Sequence, residues 1–410
     1  MIGTLKSLRP TIGVFGRRNV GKSSLVNALI GQDVSIVSAI AGTTTDPVEK
    51  AMELAPLGPV TFVDTAGVDD EGELGTLRMA RTTAALERCD AAMVVVDEAG
   101  LGADEEILFA ALRSHETPFF VVFGKADLAP PRDADRDRLA RDGIAAVAVS
   151  AVRGEGLAAL REALLAVIPD EGFETPHLLG DLIRPGGLVV LVVPIDLGAP
   201  KGRLILPQVM AIRDILDADA TSVVVKEREL RDTLARLGRK PDLVVCDSQV
   251  VLKAAADTPD DVPLTTFSIL MARFKGDLVA FAAGAAAIDR LRPGARVLVA
   301  EACSHHALAD DIGRVKIPRW LRQYAGGDLV FETVAGRDFP ADLSPYALIV
   351  QCGGCMVNRK QVLLRQRRAA EQGVAMTNYG VTISRVQGVL PRALACFPAA
   401  RAAFEAAAAE

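Results

Sequence analysis

Aromatic residues are scarce in this chain: 4% of 410 residues, with one tryptophan and three tyrosines. Base-stacking platforms of the kind that hold single-stranded nucleic acid are not favoured by such a composition. Positive charge is not in excess either, the formal net charge being −6, so there is no electrostatic footprint for a nucleic-acid partner. Long apolar runs are missing. Leu188–Ile195 is strand-sized, and Leu278–Ile288 is bounded by Asp277 and Asp289, whereas a membrane span needs roughly 20 apolar residues. The opening M-I-G-T-L-K-S-L-R-P has no extended apolar stretch of the secretory kind. Six cysteines in so large a chain do not make a small disulfide framework. A cytoplasmic, reducing compartment is expected, with neither a membrane nor a nucleic acid as partner.

Half of the residues are hydrophobic and 24% are charged, as in globular domains, and the length allows two or three of them. Residues 1–170 alternate apolar runs (Thr11–Phe15, Val60–Val63, Ala92–Val96, Phe119–Phe123, Ala145–Val149) with helical stretches, which predicts a mostly parallel α/β sheet. Residues 171–187 are rich in Pro, Gly and charge and read as a linker. Residues 188–263 form a second alternating unit. Its strands are Leu188–Ile195, Ser222–Val225 and Leu243–Cys246, with a helix of apolar stripe Leu206, Val209, Met210, Ile212, Leu216 and another near Glu229–Leu237. A unit this small has little core of its own. Burial against another subunit and packing within the same chain both answer that need. Residues 264–410 are α/β once more, with strands at Arg296–Ala300, Leu329–Thr333 and Ala347–Val350 and an Ala-rich end, Ala399–Ala409, that reads as a frayed helix.

The first domain carries G-R-R-N-V-G-K-S, residues 16–23, after a strand and ahead of the helical run Ser24–Ile30. This is a phosphate-binding loop in its expected context. Gly16 and Gly21 let the backbone close around phosphates, and the amides from Asn19 and Val20 through Ser24 face them. Lys22 reaches the β/γ oxygens, and Ser23 offers an oxygen to Mg²⁺. Asp64-Thr65-Ala66-Gly67 follows a strand: Asp64 can hold Mg²⁺ through water and the Gly67 amide can sense a γ-phosphate. In Ala41-Gly42-Thr43-Thr44-Thr45-Asp46, Thr44 is placed to reach Mg²⁺, with Thr43 beside it. Order and spacing point to GTP rather than ATP. The base-reading segment departs from Asn-Lys-x-Asp, reading Gly124-Lys125-Ala126-Asp127. Asp127 can still accept from guanine N–H groups and Lys125 can pack on the ring, with Ser150-Ala151 as the last contact loop. The lost amide removes a hydrogen bond of about 0.5–1.5 kcal/mol, so the preference for GTP should be less strict. No glutamine follows Gly67 to orient water. Asn19 matches GTPases of the Era/TrmE class, and that resemblance implies a K⁺ beside the phosphates; plain loop hydrogen bonding is the simpler role for it.

Cys303 and His305 stand in C-S-H, and Cys352 and Cys355 in Q-C-G-G-C. Thiolates and imidazole at such intervals suit a closed zinc site or an iron–sulfur cluster, and spacing does not choose between them. Both groups follow strands, and in open parallel sheets ligands gather outside the carboxyl ends, so both should lie along one sheet edge. His306 could be a ligand or a neighbour. Cys89, Cys246 and Cys396 lie singly in apolar surroundings and read as buried structural thiols.

At these residues the chain resembles the FeFe-hydrogenase maturation GTPases, the HydF family. The resemblance covers nearly the whole length through G-R-R-N-V-G-K-S-S-L-V-N-A, A-G-T-T-T-D-P-V, P-K-G-R-L-I-L-P-Q, S-I-L-M-A-R-F-K-G-D-L, E-A-C-S-H-H, D-D-I-G-R-V-K-I-P-R and M-T-N-Y-G-V. It implies a GTPase domain, a dimerisation domain at 188–263 and a 4Fe–4S-binding domain at 264–410. It also implies a homodimer that receives a diiron precursor from two radical-SAM maturases, HydE and HydG, and delivers it to apo FeFe-hydrogenase. Carried over, Cys303, Cys352 and Cys355 are the cluster's thiolate ligands, and His305 matches the family's C-x-H histidine. Gln351 stands where the family's H-C-G-G-C has histidine. Three thiolates leave one iron open, to be filled by His305, His306, a carboxylate or solvent. The rival reading is an RNA- or ribosome-associated GTPase of the Era/TrmE kind with a structural zinc site.

Overall fold

Val and Ala dominate A-A-M-V-V-V, residues 91–96, and all six are buried, the signature of a strand covered on both faces. It is the fourth of six strands in the first sheet: β1 (Thr11–Phe15), β2 (Val48–Leu54), β3 (Gly58–Asp64), β4 (Ala91–Val96), β5 (Phe119–Phe123) and β6 (Ala146–Ala148). The computed structural model describes residues 9–31, 48–56, 58–64, 85–168, 177–194, 204–302, 311–336 and 338–409. It separates into two units, Met1–Thr175 and Pro176–Glu410. In the first, strand order is β2-β3-β1-β4-β5-β6, parallel except for the antiparallel β2–β3 pair. Alternation along the strands divides the core. Ile12, Val14, Met93 and Val95 pack with the helices Lys22–Ile30 and Leu157–Val167, while Phe15, Val94 and Val96 face Phe109 and Leu112 of the helix Ala103–Ser114.

β2 is absent from the sequence-based expectation. Its Glu49, Lys50 and Glu53 break the apolar run, yet Met52 and Leu54 are buried on alternate positions, as a sheet-edge strand requires.

Among the described residues the second unit holds two four-stranded, all-parallel sheets. The first comprises β7 (Leu188–Val192), β8 (Thr221–Val225), β9 (Leu243–Cys246) and β10 (Leu264–Thr266) in order β10-β9-β7-β8. The other comprises β11 (Arg296–Glu301), β12 (Val330–Ala335), β13 (Leu348–Gln351) and β14 (Met376–Asn378) in order β12-β11-β13-β14. The second sheet thus has four strands rather than the three expected; β10 is only three residues long and offers little periodicity to read. Thr266 ends β10 and caps the helix Phe267–Lys275, its hydroxyl accepting from the Ile269 amide at 3.1 Å. That helix joins the two sheets. Ser268 donates to Asn378 Oδ1 at 3.1 Å and accepts from the Gly380 amide at 3.0 Å. A Cβ on Gly380 would stand 2.6 Å from Ser268 Cβ, so the glycine is what permits so close an approach.

Two expectations need correction here. The Ala-rich end is not frayed over the described residues: the helix Pro398–Ala409 buries Ala400 and Phe404. Phe404 supplies an anchor that the alanine run conceals. Of the lone cysteines, Cys89 and Cys246 are wholly buried, but Cys396 is only partly so; burial still pushes its thiol up to about 11. Among the described residues no helix is long and apolar enough to cross a membrane.

Candidate nucleotide and cluster sites

The phosphate loop leaves β1 through Gly16, whose φ of +139° suits glycine, and whose missing Cβ lets the backbone pass the Val95 carbonyl. Asn19 and Gly21 also have positive φ, 63° and 100°. The helix Lys22–Ile30 then begins with no side-chain cap, and a helix N-terminus is the end that attracts an anion. Lys22 is buried, and its ammonium donates to the Gly16 and Arg17 carbonyls at 2.7 and 2.9 Å. Ser23 and Ser24 are exposed. Asp64 ends β3, paired in register with Val14 of β1, which brings its backbone to the same sheet edge. Thr43, Thr44 and Gly67 lie outside the described residues.

The base-reading residues come together at the carboxyl ends of β5 and β6. Gly124 donates to the Val96 carbonyl at 2.7 Å, and Ala126 to the Val149 carbonyl at 3.2 Å. Lys125 has φ of 54° and its ammonium lies 3.7 Å from Asp97. Ser150 is buried; it accepts from the Arg153 amide at 3.1 Å, and its hydroxyl bonded to Asp127 holds that carboxyl below its usual range. Ala151 follows directly. This loop touches the phosphate loop: a Cβ on Gly124 would lie 3.2 Å from the Val20 carbonyl oxygen.

Sequence reasoning missed a brace on the phosphate loop. Arg17 Nε donates to Glu105 Oε1 at 2.9 Å and Arg17 Nη2 to the Gly100 carbonyl at 2.5 Å, with Asp97 at 3.9 Å. Glu105 is 2% exposed, and its other oxygen accepts from the Gly102 amide at 2.9 Å. Both partners are visible in the sequence, an arginine in the variable part of the loop and an acid in the first turn of a later helix, but no local pattern pairs them.

In the third sheet β11 and β13 are adjacent and parallel, Ala300 opposite Gln351. The strand ends that precede C-S-H and C-G-G-C therefore lie side by side. The Cys352 amide donates to the Ala300 carbonyl at 2.9 Å. Its sulfur accepts from the Ala302 amide at 3.1 Å, the Gly354 amide at 3.4 Å and Gln351 Nε2 at 3.5 Å. Ala302 is the residue before Cys303; Cys303, His305 and His306 lie outside the described residues. Gly354 has φ of +65°, which turns the chain between the two cysteines. Among the described residues neither cysteine forms a disulfide. Burial pushes the Cys355 thiol up, and the Lys275 ammonium pulls against it. Lys275 is 2% exposed and donates to the Val357 carbonyl at 3.0 Å.

A carboxylate network borders the thiols. Glu301, buried at the end of β11, accepts from Arg314 Nε and Nη2 at 3.1 and 2.9 Å and from the Tyr379 hydroxyl at 3.4 Å. Burial raises the Tyr379 phenol well above its usual range, and negative charge on Cys352 and Glu301 acts the same way. Among the described residues no three His, Cys, Asp or Glu side chains stand together as a metal group. The donor set does fit a thiophilic centre: two thiols on one glycine-turned loop, one of them already receiving N–H groups suited to a thiolate.

Three regions match known families: residues 11–125 a "50S ribosome-binding GTPase" family, 178–276 the "Hydrogen maturase F dimerization domain" and 279–396 the "Hydrogen maturase F tetramerization domain". Among curated proteins, the tRNA modification GTPase MnmE of Burkholderia ambifaria is 37% identical over 154 residues, covering 37% of this chain and 33% of that protein. GTPase Der of Sulfurimonas denitrificans is 40% identical over 130 residues, covering 30% of this chain and 26% of that one. The chain therefore spans a third or less of the length of these two relatives. Solved structures that align include the G domain of the T. maritima FeoB iron transporter, at 23% identity and TM-score 0.32 over 39% of this chain and 99% of that one. Aquifex aeolicus Era aligns at 22% identity and TM-score 0.32 over 56% and 98%. The relatives and the first match place a GTPase domain of the TrmE/Era kind at the front. The two maturase domains account for more than half of the chain and contain the paired strand ends with their cysteines, and by them the chain belongs to the hydrogen maturase F family.

Proposed function

We propose that this chain is a GTP-hydrolysing scaffold that holds a 4Fe–4S cluster and delivers a diiron precursor to apo FeFe-hydrogenase. In this reading Cys303, Cys352 and Cys355 bind the cluster and His305 is a candidate for the remaining iron. The single observation that carries it is the convergence of β11 and β13: the amide of Ala302, next to Cys303, donates to the Cys352 sulfur at 3.1 Å. When bound, the cluster supplies an iron position not taken by thiolate, at which a precursor can dock. The protein's part is to orient the sulfurs, with Gly353-Gly354 turning the loop and N–H groups fixing Cys352. The partners in this reading are HydE and HydG as radical-SAM suppliers of the precursor. Self-association runs through 178–276 and 279–396, as the names of the matched domains suggest.

At the front of the chain, Lys22 neutralises β/γ-phosphate charge, and the amides from residue 19 to 24 cradle the phosphates. Ser23 and Thr44 hold Mg²⁺ with Asp64 behind water, the Gly67 amide senses the γ-phosphate, and Asn19 holds K⁺. Lys125, Asp127, Ser150 and Ala151 read the base. Anaerobic reconstitution followed by iron, sulfide and zinc assay tests the reading. About four irons per chain are expected; stoichiometric zinc with no iron overturns it in favour of a structural zinc site.

A further inference from the structure

Gln351 ends β13 directly before Cys352 and is 1% exposed. Arg365 Nη1 donates to its Oε1 at 3.0 Å. A guanidinium has donors only, so the amide oxygen must face Arg365 and the amide nitrogen must face the other way. That nitrogen lies 3.5 Å from Cys352 Sγ. Arg365 is fixed in turn: it is 6% exposed, its Nη2 donates to the Gly336 carbonyl at 2.6 Å, and its guanidinium lies 5.0 Å from the Phe339 ring centre. Turning the amide over to offer oxygen toward the sulfur side would set an NH₂ group against the guanidinium, two donors in a buried place.

We propose that Gln351 is a positioning residue for the cluster, an amide N–H donor to the Cys352 thiolate locked by Arg365, and not an iron ligand. This rests on the cluster reading above. With the Ala302 and Gly354 amides, it brings three N–H groups onto one sulfur. Hydrogen bonds to a cluster's sulfurs stabilise the more negative, reduced state and raise its potential. The arrangement therefore makes the cluster easier to reduce and leaves its fourth iron position to a group other than residue 351.

The test is an EPR-monitored redox titration of reconstituted full-length protein, native and Gln351→Met, with iron counted on the same samples. Methionine keeps an unbranched side chain without charge but removes the donor. Expected are unchanged iron and a lowered potential: at a fixed poise the oxidised-to-reduced ratio rises about tenfold, ~59 mV for one electron. An unchanged or raised potential overturns the inference, and so does loss of iron, which would make Gln351 a ligand. Should Gln351→Met fail to fold, the native protein labelled with ¹⁵N in its glutamine side chains decides. Pulsed EPR of the reduced cluster should show weak coupling to an amide nitrogen, and none would overturn the inference. A native protein that takes zinc instead of iron sinks the cluster reading itself, whereas an iron-loaded native protein whose potential ignores residue 351 sinks only this inference.

Discussion

Replacing Arg17 by alanine removes the guanidinium from a carboxylate that is almost wholly inside the protein. Glu105 is 2% exposed, and its Oε1 sits 2.9 Å from Arg17 Nε. Breaking a buried pair from one side costs about 3–5 kcal/mol, because the remaining charge is left uncompensated. Two features lower that figure. Arg17 is itself 29% exposed, so water screens part of the interaction. Glu105 also keeps the Gly102 amide through its other oxygen at 2.9 Å. An expected loss of about 2 kcal/mol results, together with weaker nucleotide binding, since the same guanidinium ties the phosphate loop to the Gly100 carbonyl at 2.5 Å. A double-mutant cycle isolates the pair: Arg17→Ala, Glu105→Gln and both, each followed by urea unfolding of the GTPase unit. Glutamine can retain an oxygen for Gly102 but then turns its NH₂ toward the guanidinium, so the change removes the charge and the acceptor together, and the coupling should be roughly 1–2 kcal/mol. A coupling under about 0.3 kcal/mol, within the additivity of independent sites, would refute the brace.

Three further outcomes can be checked. Gly124→Asn restores the amide that guanine-reading loops use, so the GTP-over-ATP affinity ratio should rise about fivefold, the equivalent of one hydrogen bond near 1 kcal/mol. A new Cβ 3.2 Å from the Val20 carbonyl oxygen requires only a few tenths of an ångström of adjustment; no change in competition binding would show that the loop cannot use the amide. Gly313→Ala would drive a methyl into the Tyr379 hydroxyl and to 2.8 Å from Glu301 Oε1, disturbing the network beside Cys352. Overpacking of this kind costs about 1–3 kcal/mol, visible in thermal unfolding, and an unchanged melting curve would contradict the packing. Asp127 is held below the usual carboxylate range chiefly by the Ser150 hydroxyl. A depressed folded-state pKa means that the favourable charged form persists as pH falls and is lost only on passing that lower pKa. Ser150→Ala should therefore move the Asp127 titration, followed by carboxyl ¹³C NMR, upward toward the ordinary aspartate range; a titration that stays put would assign the shift elsewhere.

The central strands were legible because they are buried on both faces and read as unbroken apolar runs: β1, β5 and β9 fall where Thr11–Phe15, Phe119–Phe123 and Leu243–Cys246 predict them. β2 was hidden by its charged Glu49, Lys50 and Glu53, and β10 and β14 by their length of three residues. Placing C-S-H and C-G-G-C after parallel strands was enough to expect a shared edge, and β11 and β13 are neighbours. Long-range side-chain partners were not legible. Nothing in the sequence pairs Gln351 with Arg365 or Arg17 with Glu105, since such contacts depend on how a helix is docked and not on any local period. Lys275 shows the same limit. A lysine ordinarily faces solvent, yet this side chain is 2% exposed and donates to the Val357 carbonyl just past the cysteine loop.

The claim that this GTPase carries a redox cluster on three cysteines from two strand ends is tested most directly by EPR of the dithionite-reduced, reconstituted protein. A paramagnetic cubane signal is expected from the native chain. It should also persist in Cys89→Ser, Cys246→Ser and Cys396→Ser, which belong to neither the C-S-H nor the C-G-G-C segment. In Cys303→Ser, Cys352→Ser and Cys355→Ser it should be lost or strongly altered, because each removes a thiolate from an iron. An undiminished, unshifted signal after loss of Cys303 or Cys352 would contradict the account.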